Sequence, residues 1–299
     1  MIKIKSLVQV VITGALMGVL PALAQQQVTH TQHGQQRVPL NSATSLLSPT
    51  GEIQVMARRQ WMGVEGAPQV LWGSAHIGMQ NIKATAGVNF RQERMGVERL
   101  SEASLFFAKS VRLSARDYLG VSLNAGLAYF QGNYSSLDPT DPAFRDEMET
   151  EALAGFGVLF YRPGRYYAGV SLPRLSLGSL RDDASRYAFG NVYHVHGGAL
   201  LGLGGDMALR PSVLATYTED FGTQVEASAL VVLKEQLGLG LNVRSTGELA
   251  GMAQFHFGSF GLGYSYQFMP GSGTLNRRMN NATHDLGISY RFGGLIQWL

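Results

Sequence analysis

Two histidine-containing groups have the best potential for chemistry in this sequence. A single residue separates His194 from His196, so on a β-strand both side chains would point to the same face and could reach one metal ion. The sequence places no further histidine or acid beside them. His284 and Asp285 are adjacent, and Ser289 follows on the same segment. Neighbouring residues on a strand point to opposite sides, so His284 and Asp285 cannot act together as a base and its orienting group.

Other patterns that support catalysis or metal binding are incomplete. No G-x-S-x-G motif is present, and the glycine-rich run 197–205 lacks the Lys-Ser/Thr ending of a phosphate loop. The chain has no cysteine, which excludes disulfides and thiolate metal sites. An acidic stretch, 131–150, lacks regular calcium-ligand spacing, and we interpret it as a surface loop; its acids are Asp138, Asp141, Asp146, Glu147 and Glu149. We therefore predict a protein that is not an enzyme and uses no cofactor or metal.

The elements that must position these residues are β-strands, and the clearest lie at 151–172. Every second residue from Ala152 to Phe160 is apolar, while the alternate set is smaller and mixed. A turn follows at 162–165, and the alternation resumes from Tyr166 to Leu172. This alternation at every second residue predicts a β-hairpin with one apolar face. Each arm has about ten residues, roughly the length with which a tilted strand crosses a bilayer.

Similar segments follow one another along the chain. Short and long connections alternate between them, which is typical of outer-membrane barrels with short periplasmic turns, longer external loops and both termini inside. The sequence predicts an all-β fold, a transmembrane antiparallel β-barrel of about 14 strands within residues 51–293. The expected strands are 52–61, 68–78, 82–91, 102–112, 118–130, the two arms of 151–172, 191–203, 207–217, 224–233, 236–244, 249–257, 260–268 and 284–292.

Composition supports a barrel over a soluble β-sandwich. Charged residues are 15% of the chain, where about 25% is usual for soluble domains. The body of the chain contains no apolar run long enough for a helical membrane span. Low charge and abundant glycine without such a span favour strands as the membrane-crossing elements.

The N-terminus has the pattern of a secretory signal peptide. Lys3 and Lys5 precede an apolar stretch, 7–20, and Ala22-Leu23-Ala24 form a small-residue cleavage site. We predict a signal peptide at 1–24; an amphipathic anchor helix is the alternative. Removal of the two lysines lowers the formal net charge of +3 by two, to +1. A balance so close to neutral gives no support to a nucleic-acid partner.

Two terminal segments outside the strands show no period. Residues 25–50 are expected to be a periplasmic lead-in with solvated His30 and His33, and residues 294–299 a short periplasmic tail. The inward strand faces are expected to carry charges, either as a hydrated polar lining or as a basic pocket for an anionic segment or solute. These charges are Arg58, Lys83, Arg91, Arg112, Arg210, Arg244, Arg291, Glu52, Glu226 and Asp285.

One stretch at the end of the first strand resembles a known family. Residues 58–68 read R-R-Q-W-M-G-V-E-G-A-P, similar to the R-x-Q-W-x-G-x-x-G-A-P signature of the PorP/SprF family of type IX secretion outer-membrane proteins. Further similar stretches follow in order at 141–144, 167–173, 209–214, 262–266 and 283–285. The chain departs from the family at Asn41-Ser42-Ala43, without the usual Pro and Gly, and at Asp285, where the family tends to have Glu. The motif residues proposed to meet partners are Arg58, Gln60, Trp61, Gly63, Glu65, Gly66, Pro68, Asp141, Pro142, Thr283 and His284.

The resemblance implies a location and a function. It implies an outer-membrane barrel, surrounded by lipid, that helps to secrete or anchor at the cell surface proteins with a C-terminal sorting domain, including gliding adhesins. It implies partners among other type IX components, namely the periplasmic ring lipoprotein and motor parts, and no catalytic residues. A barrel fold alone hosts many functions. The alternatives are a diffusion channel or solute transporter and, further off, a lipid-modifying enzyme.

Overall fold

A computed structural model describes residues 30–178, 190–219, 221–270 and 282–293. The expected signal peptide at 1–24 and the tail at 294–299 lie outside the described residues, so both assignments stay predictions. None of the described helices is long and apolar enough to pass through a membrane.

The described strands form one antiparallel sheet that closes on itself, because β1 pairs with β15 and the other strands, apart from β8 and β9, pair with their neighbours in sequence. β8 and β9 both pair with β10 and occupy one position, so the described barrel has fourteen positions. The predicted barrel is confirmed. The strands are β1 Gly51–Arg59, β2 Gln69–Met79, β3 Ala84–Met95, β4 Glu98–Arg112, β5 Tyr118–Gly132, β6 Glu147–Arg162, β7 Tyr166–Ser176, β8 Val192–Ala199, β9 Leu201–Gly204, β10 Met207–Thr218, β11 Gly222–Leu233, β12 Leu237–Arg244, β13 Leu249–Phe257, β14 Phe260–Phe268 and β15 Thr283–Arg291.

Some strands extend beyond their apolar stretches. β6 begins at Glu147, inside the segment expected to be a loop, and Glu149 pairs with Phe130 of β5. The backbone ladder continues into polar residues because any residue type except proline can both donate and accept along it. The acidic loop is therefore shorter than predicted.

The alternation gives the barrel an apolar outside and a polar inside. Leu105, Leu123 and Phe257 are 68–70% exposed on the outer face. In β1, Ile53 and Val55 point outward while neighbouring polar side chains are buried inside. An apolar surface around a closed barrel is the kind that a bilayer covers.

The connections define two different ends. We call the end with the connections 80–83, 113–117, 163–165, 205–206, 234–236 and 258–259 the short-turn rim. The opposite end, which we call the long-loop rim, carries the connections 60–68, 96–97, 133–146 and 245–248 and the strand ends at Ser176, Val192, Thr218, Gly222, Phe268 and Thr283. β1 begins and β15 ends at the short-turn rim.

Residues 30–48, which we call the plug, run through the barrel from the level of Arg58 to the short-turn rim. Nearly all of its residues are buried, and Ser42–Leu47 form a 3-10 helix. Leu46 and Leu47 pack on Leu159 and other apolar wall residues. The expectation of solvated histidines in this segment is wrong, because the barrel wall supplies polar partners to a polar segment. Two further 3-10 helices, Gln80–Ile82 and Tyr134–Ser136, lie in connections.

Candidate functional site

Two buried ion pairs cross the seam, by which we mean the β1–β15 pairing that closes the barrel. Arg58 and Asp285 face each other in register, with 3.0 Å between Nη1 and Oδ1. Ser265 donates a hydrogen bond to Asp285 (2.7 Å), and Arg58 donates to Gln267 (2.9 Å) and to the hydroxyl of Thr31 (3.1 Å). This pair therefore joins the seam to the upper part of the plug.

The second seam pair lies near the short-turn rim. Arg291 and Glu52 are also opposite in register, at 3.4 Å between Nη2 and Oε2. The hydroxyl of Ser48 donates to Glu52 (2.7 Å) and accepts from Arg291 (2.7 Å). The two ends of the plug thus hydrogen-bond to the two charged pairs that close the barrel.

The middle of the plug is held by Asn41. Its amide donates to the carbonyls of Val158 (3.1 Å) and Val170 (3.3 Å), and its oxygen accepts from the N–H of Ala43 (3.0 Å). A side chain on Gly157 would overlap this amide, because its Cβ would lie 2.1 Å from Asn41 Oδ1. Glycine on the inner face of β6 therefore makes room for the plug.

The plug histidines lie among charged and aromatic wall residues. His30 stacks on Trp72 with ring centroids 4.3 Å apart, and its backbone N–H donates to Glu226 (3.0 Å). Burial, followed by the nearby imidazole of His194, holds the pKa of His30 well below its ordinary value. Burial also lowers the pKa of His33, although the nearby Glu226 opposes the effect. Both histidines are neutral at physiological pH.

His194 and His196 share the inner face, as predicted, but each has a different polar neighbour. Nδ1 of His194 is 3.0 Å from the hydroxyl of Thr216, and Nε2 of His196 is 3.0 Å from the amide of Asn41. Within the described ranges, no group of three or more metal-binding side chains comes together. The pair therefore helps to bind the plug.

His284 and Asp285 lie on opposite sides of the wall. Asp285 is 1% exposed inside the lumen, whereas His284 faces outward and its Nδ1 is 2.8 Å from the hydroxyl of Tyr264. Ser289 is buried on the inner face with Asp285. The structure does not bring a base and its orienting group together in this strand.

The motif that opens at Arg58 continues into the loop between β1 and β2. Gln60 is buried, and its N–H donates to the carbonyl of Pro68 (3.0 Å), which closes the base of the loop. Met62 donates its N–H to the carbonyl of Ala282 (3.1 Å), next to Thr283. Backbone bonds therefore join this loop to the start of β15.

Left-handed residues bend the rest of the loop. Trp61, Gly63 and Gly66 have φ angles of 46°, 95° and 72°. The carbonyl of Gly66 accepts from the N–H of Gly96 (2.8 Å), which ties the loop to the β3–β4 turn. Glu65 is exposed at the surface of the long-loop rim.

Asp141 and Pro142 also lie at the long-loop rim, in the β5–β6 loop. Both are exposed, and Asp141 Oδ1 accepts from the N–H of Ala143 (2.9 Å). Thr283 is buried and pairs with Gln267 across β14–β15. All the motif residues therefore lie at or near one rim, although only some touch one another.

A cavity of about 270 Å³ opens above the plug toward the long-loop rim. We call it the vestibule. Its floor includes His30, Leu40 and Trp72, and its walls include Leu100 and Phe130. Charged side chains ring these apolar walls, with Arg91 and Arg174 both paired to Glu102.

Two of the ten charges expected inside the lumen are placed elsewhere. Lys83 lies in the β2–β3 turn with φ 51°, and Arg112 binds the carbonyls of Ser114 and Ala115 at the short-turn rim. The alternation of side chains predicts an inner or outer position only within a strand, and it fails at turns and strand ends. The other eight charges lie on the inner face. No pattern in residues 30–48 predicted their contacts with the barrel wall.

The sequence model of one family, described as type IX secretion system membrane protein PorP/SprF, matches residues 22–290. The chain belongs to this family. The resemblance seen in residues 58–68 is confirmed, and the match includes the whole described barrel except its last few residues. PorP/SprF membership together with the closed barrel makes this a type IX secretion barrel of the outer membrane. No curated protein matches the sequence.

Solved outer-membrane barrels are similar to this PorP/SprF chain only at low identity. Omp33 of Acinetobacter baumannii is 9% identical with a TM-score of 0.47, over 82% of this chain and 99% of that one. A FadL homologue of Pseudomonas aeruginosa is 9% identical with a TM-score of 0.47, over 86% and 94%. The toluene transporter TodX of P. putida is 9% identical with a TM-score of 0.44, over 89% and 95%. Scores this low support no inference about function.

Proposed function

We propose that this barrel helps to secrete, or to retain at the cell surface, proteins that carry a C-terminal sorting domain, gliding adhesins among them. The observation that carries the proposal is the family match over residues 22–290. Other type IX components, including the periplasmic ring lipoprotein and motor parts, are the expected partners. The surrounding partner is outer-membrane lipid.

The long-loop rim is the surface on which we place cargo contact. Outer-membrane barrels keep short turns in the periplasm and longer loops outside, so this rim would face the cell exterior. The exposed Glu65 and Asp141 lie there, and so does the mouth of the vestibule. Apolar walls with charged side chains suit an extended peptide segment of the cargo. The short-turn rim would meet the periplasmic components.

The plug favours this role over the rival one of a diffusion channel. Residues 30–48 bind opposite sides of the wall, as Ser45 meets Thr85 of β3 (2.5 Å) and His33 meets Ser212 of β10 (3.2 Å). A transported solute would have to displace these contacts. The occupied lumen supports a barrel that binds proteins at its rim.

We also propose that the protein is not an enzyme. His284 is separated from Asp285 by the barrel wall, and His194 is hydrogen-bonded within the plug site. His284→Ala should leave the lipid composition of the outer membrane unchanged. A change in lipid structure in that strain would support a lipid-modifying enzyme instead.

The test is a deletion strain complemented with rim variants. We expect the deletion to remove one or more sorting-domain proteins from the cell surface or to release them into the medium. Trp61→Ala with Glu65→Ala should reproduce the loss, because both change the long-loop rim. Leu105→Ala with Leu123→Ala, on the outer wall between the two rims, is the matched control and should restore surface retention. If all surface proteins stay in place and only solute uptake changes, the channel is the better description.

A further inference from the structure

Three arginines stand side by side on the outer face at the long-loop rim. Arg94 and Arg99 face each other in register across β3–β4. Gln69 of β2 lies opposite both Arg94 and Arg59 of β1, and Arg59 in turn lies opposite His284 of β15. Five neighbouring strands therefore place these side chains at one level. We call Arg59, Arg94 and Arg99 the cation row, and His284 lies at its end.

The alternation of the strands separates these cations from the nearest acids. Glu93 and Glu98 are the sequence neighbours of Arg94 and Arg99, and both point inward. Glu93 pairs with Arg91, and Glu98 accepts a hydrogen bond from the hydroxyl of Tyr134 (2.7 Å). Within the described part of the chain, no carboxylate forms an ion pair with any arginine of the row.

Such an arrangement is unfavourable unless an anion binds to it. Neighbouring strands are about 4.8 Å apart, which sets the backbones of Arg94 and Arg99 at that spacing. Like charges directly opposite on a sheet destabilise the pairing. A phosphate between two guanidinium groups would remove the repulsion and accept several charge-assisted hydrogen bonds.

The depth of the row on the barrel indicates where the anion comes from. Toward the middle of the barrel, the next outward residues on β15, β1 and β2 are Leu286, Ala57 and Leu71. The row therefore lies at the edge of the apolar band, at the depth of lipid headgroups. A surface groove of about 620 Å³ runs beside it, lined by the cation row together with Met62 and Tyr264.

We propose that the cation row binds the phosphate-bearing headgroup of a lipid in the membrane leaflet at the long-loop rim. Arg94 and Arg99 hold one phosphate, and Arg59 with His284 extends the site along the headgroup. The apolar residues beneath the row carry the acyl chains. The site is independent of cargo binding, because it lies on the outside of the wall.

Purified protein in detergent tests the proposal without any secretion component. The probes are micelles containing diphosphoryl lipid A and micelles containing the same lipid after phosphatase treatment, with binding followed by native mass spectrometry. We expect wild-type protein to retain the phosphorylated lipid and Arg59→Gln/Arg94→Gln/Arg99→Gln to bind it about tenfold more weakly, since three exposed charge pairs are lost. Binding should weaken with salt in the wild type only.

Arg116→Gln/Lys234→Gln is the matched control, because it removes two exposed cations at the short-turn rim. It should bind as the wild type does. Unchanged mobility of unheated samples on SDS gels verifies that all three proteins are folded. Equal lipid binding by the triple variant and the wild type would overturn the proposal. Displacement of the lipid by inorganic phosphate, but not by sodium chloride at the same ionic strength, would also overturn it, since the site would then recognise free phosphate.

Discussion

The residues with the largest structural effect are the charged pair Arg58–Asp285 on the seam. Each is buried, and each has further polar partners from β14 or the plug. A buried ion pair adds little net stability compared with an apolar pair of the same size, but loss of one member leaves a buried charge without its counterion. A shifted register at the seam would bury both charges without their partners. The pair therefore favours the register in which Arg58 lies opposite Asp285.

We expect Arg58→Gln or Asp285→Asn to lower the free energy of unfolding by about 3–5 kcal/mol. Urea titration in detergent, followed by the shift of unheated protein on SDS gels, measures it. Arg58→Met with Asp285→Leu should cost less than either single change, because no charge is left alone. If the double variant lowers the free energy of unfolding by as much as the two single variants together, the two residues act independently and their pairing does not stabilise the seam.

The neutral His30 makes plug binding sensitive to acid. Its pKa is near 6.5 when it is exposed and well below that value in the lumen, because of burial. Protonation is therefore favoured in the released state, so the plug is fully bound above about pH 6.5 and loses stability as the pH falls below it. The guanidinium groups of Arg91 and Arg58 lie near His30 and oppose its protonation, and the imidazoles of His194 and His33 are its titratable neighbours.

Fluorescence of Trp72 reports this transition when the other two tryptophans are replaced, as in Trp61→Phe/Trp298→Phe. We expect acidification to change the emission, because the His30–Trp72 stack is lost. His30→Phe in the same background keeps an aromatic ring on Trp72 and removes the titration, so its emission should change much less. An identical acid response in both proteins would assign the effect to another group.

At the scale of elements, the plug and the glycines of the wall fit together. The Cβ of a residue at position 157 would overlap the amide of Asn41, and at position 263 it would lie 2.3 Å from Gln32 Oε1. Neither glycine has a left-handed φ angle. Glycine is needed at both positions because a larger side chain would overlap the plug. Some of the abundant glycines in the sequence therefore serve to leave room for the plug inside the barrel.

We expect Gly157→Ala to loosen the plug at Asn41, because hydrogen bonds of about 1 kcal/mol each are lost there. The chain has no native cysteine, so Ser45→Cys gives a single thiol for maleimide labelling. Gly157→Ala should speed this labelling roughly tenfold. Gly251→Ala is the matched control, since nothing lies within 4 Å of its Cβ position. Equal labelling rates in the two backgrounds would contradict the fit between plug and wall.

The strands were predictable from sequence because their period is a local property. Ile53 and Val55 point outward and Arg58 inward as the alternation requires. The seam was not predictable in detail, because Arg58 and Asp285 are 227 residues apart and meet only when the whole barrel has closed. The plug was misread for a related reason. Its burial depends on partners from strands all around the wall, and its own sequence has no period.

At the scale of the molecule, the barrel should be closed to ions. A barrel of this size without internal filling has room for water, and residues 30–48 occupy that room. We expect wild-type protein in planar bilayers to show no steady conductance, and a variant lacking 30–47 to conduct. Ser45→Cys/Thr85→Cys, whose parent hydroxyls are 2.5 Å apart, should form a disulfide and stay closed. Steady conductance of this locked protein would show that ions pass beside the plug.

The contacts of the plug with both seam pairs constrain how the protein is assembled. The plug precedes β1 in the chain, and its Thr31 and Ser48 contact the two ion pairs that join β1 to β15. A barrel that closed first would have to admit a polar segment, including Arg37, into a lumen that is already closed. We therefore expect the sheet to close around the plug, with the pairing of β15 to β1 formed last. Filling of the lumen is then expected to precede or accompany the final strand pairing in biogenesis.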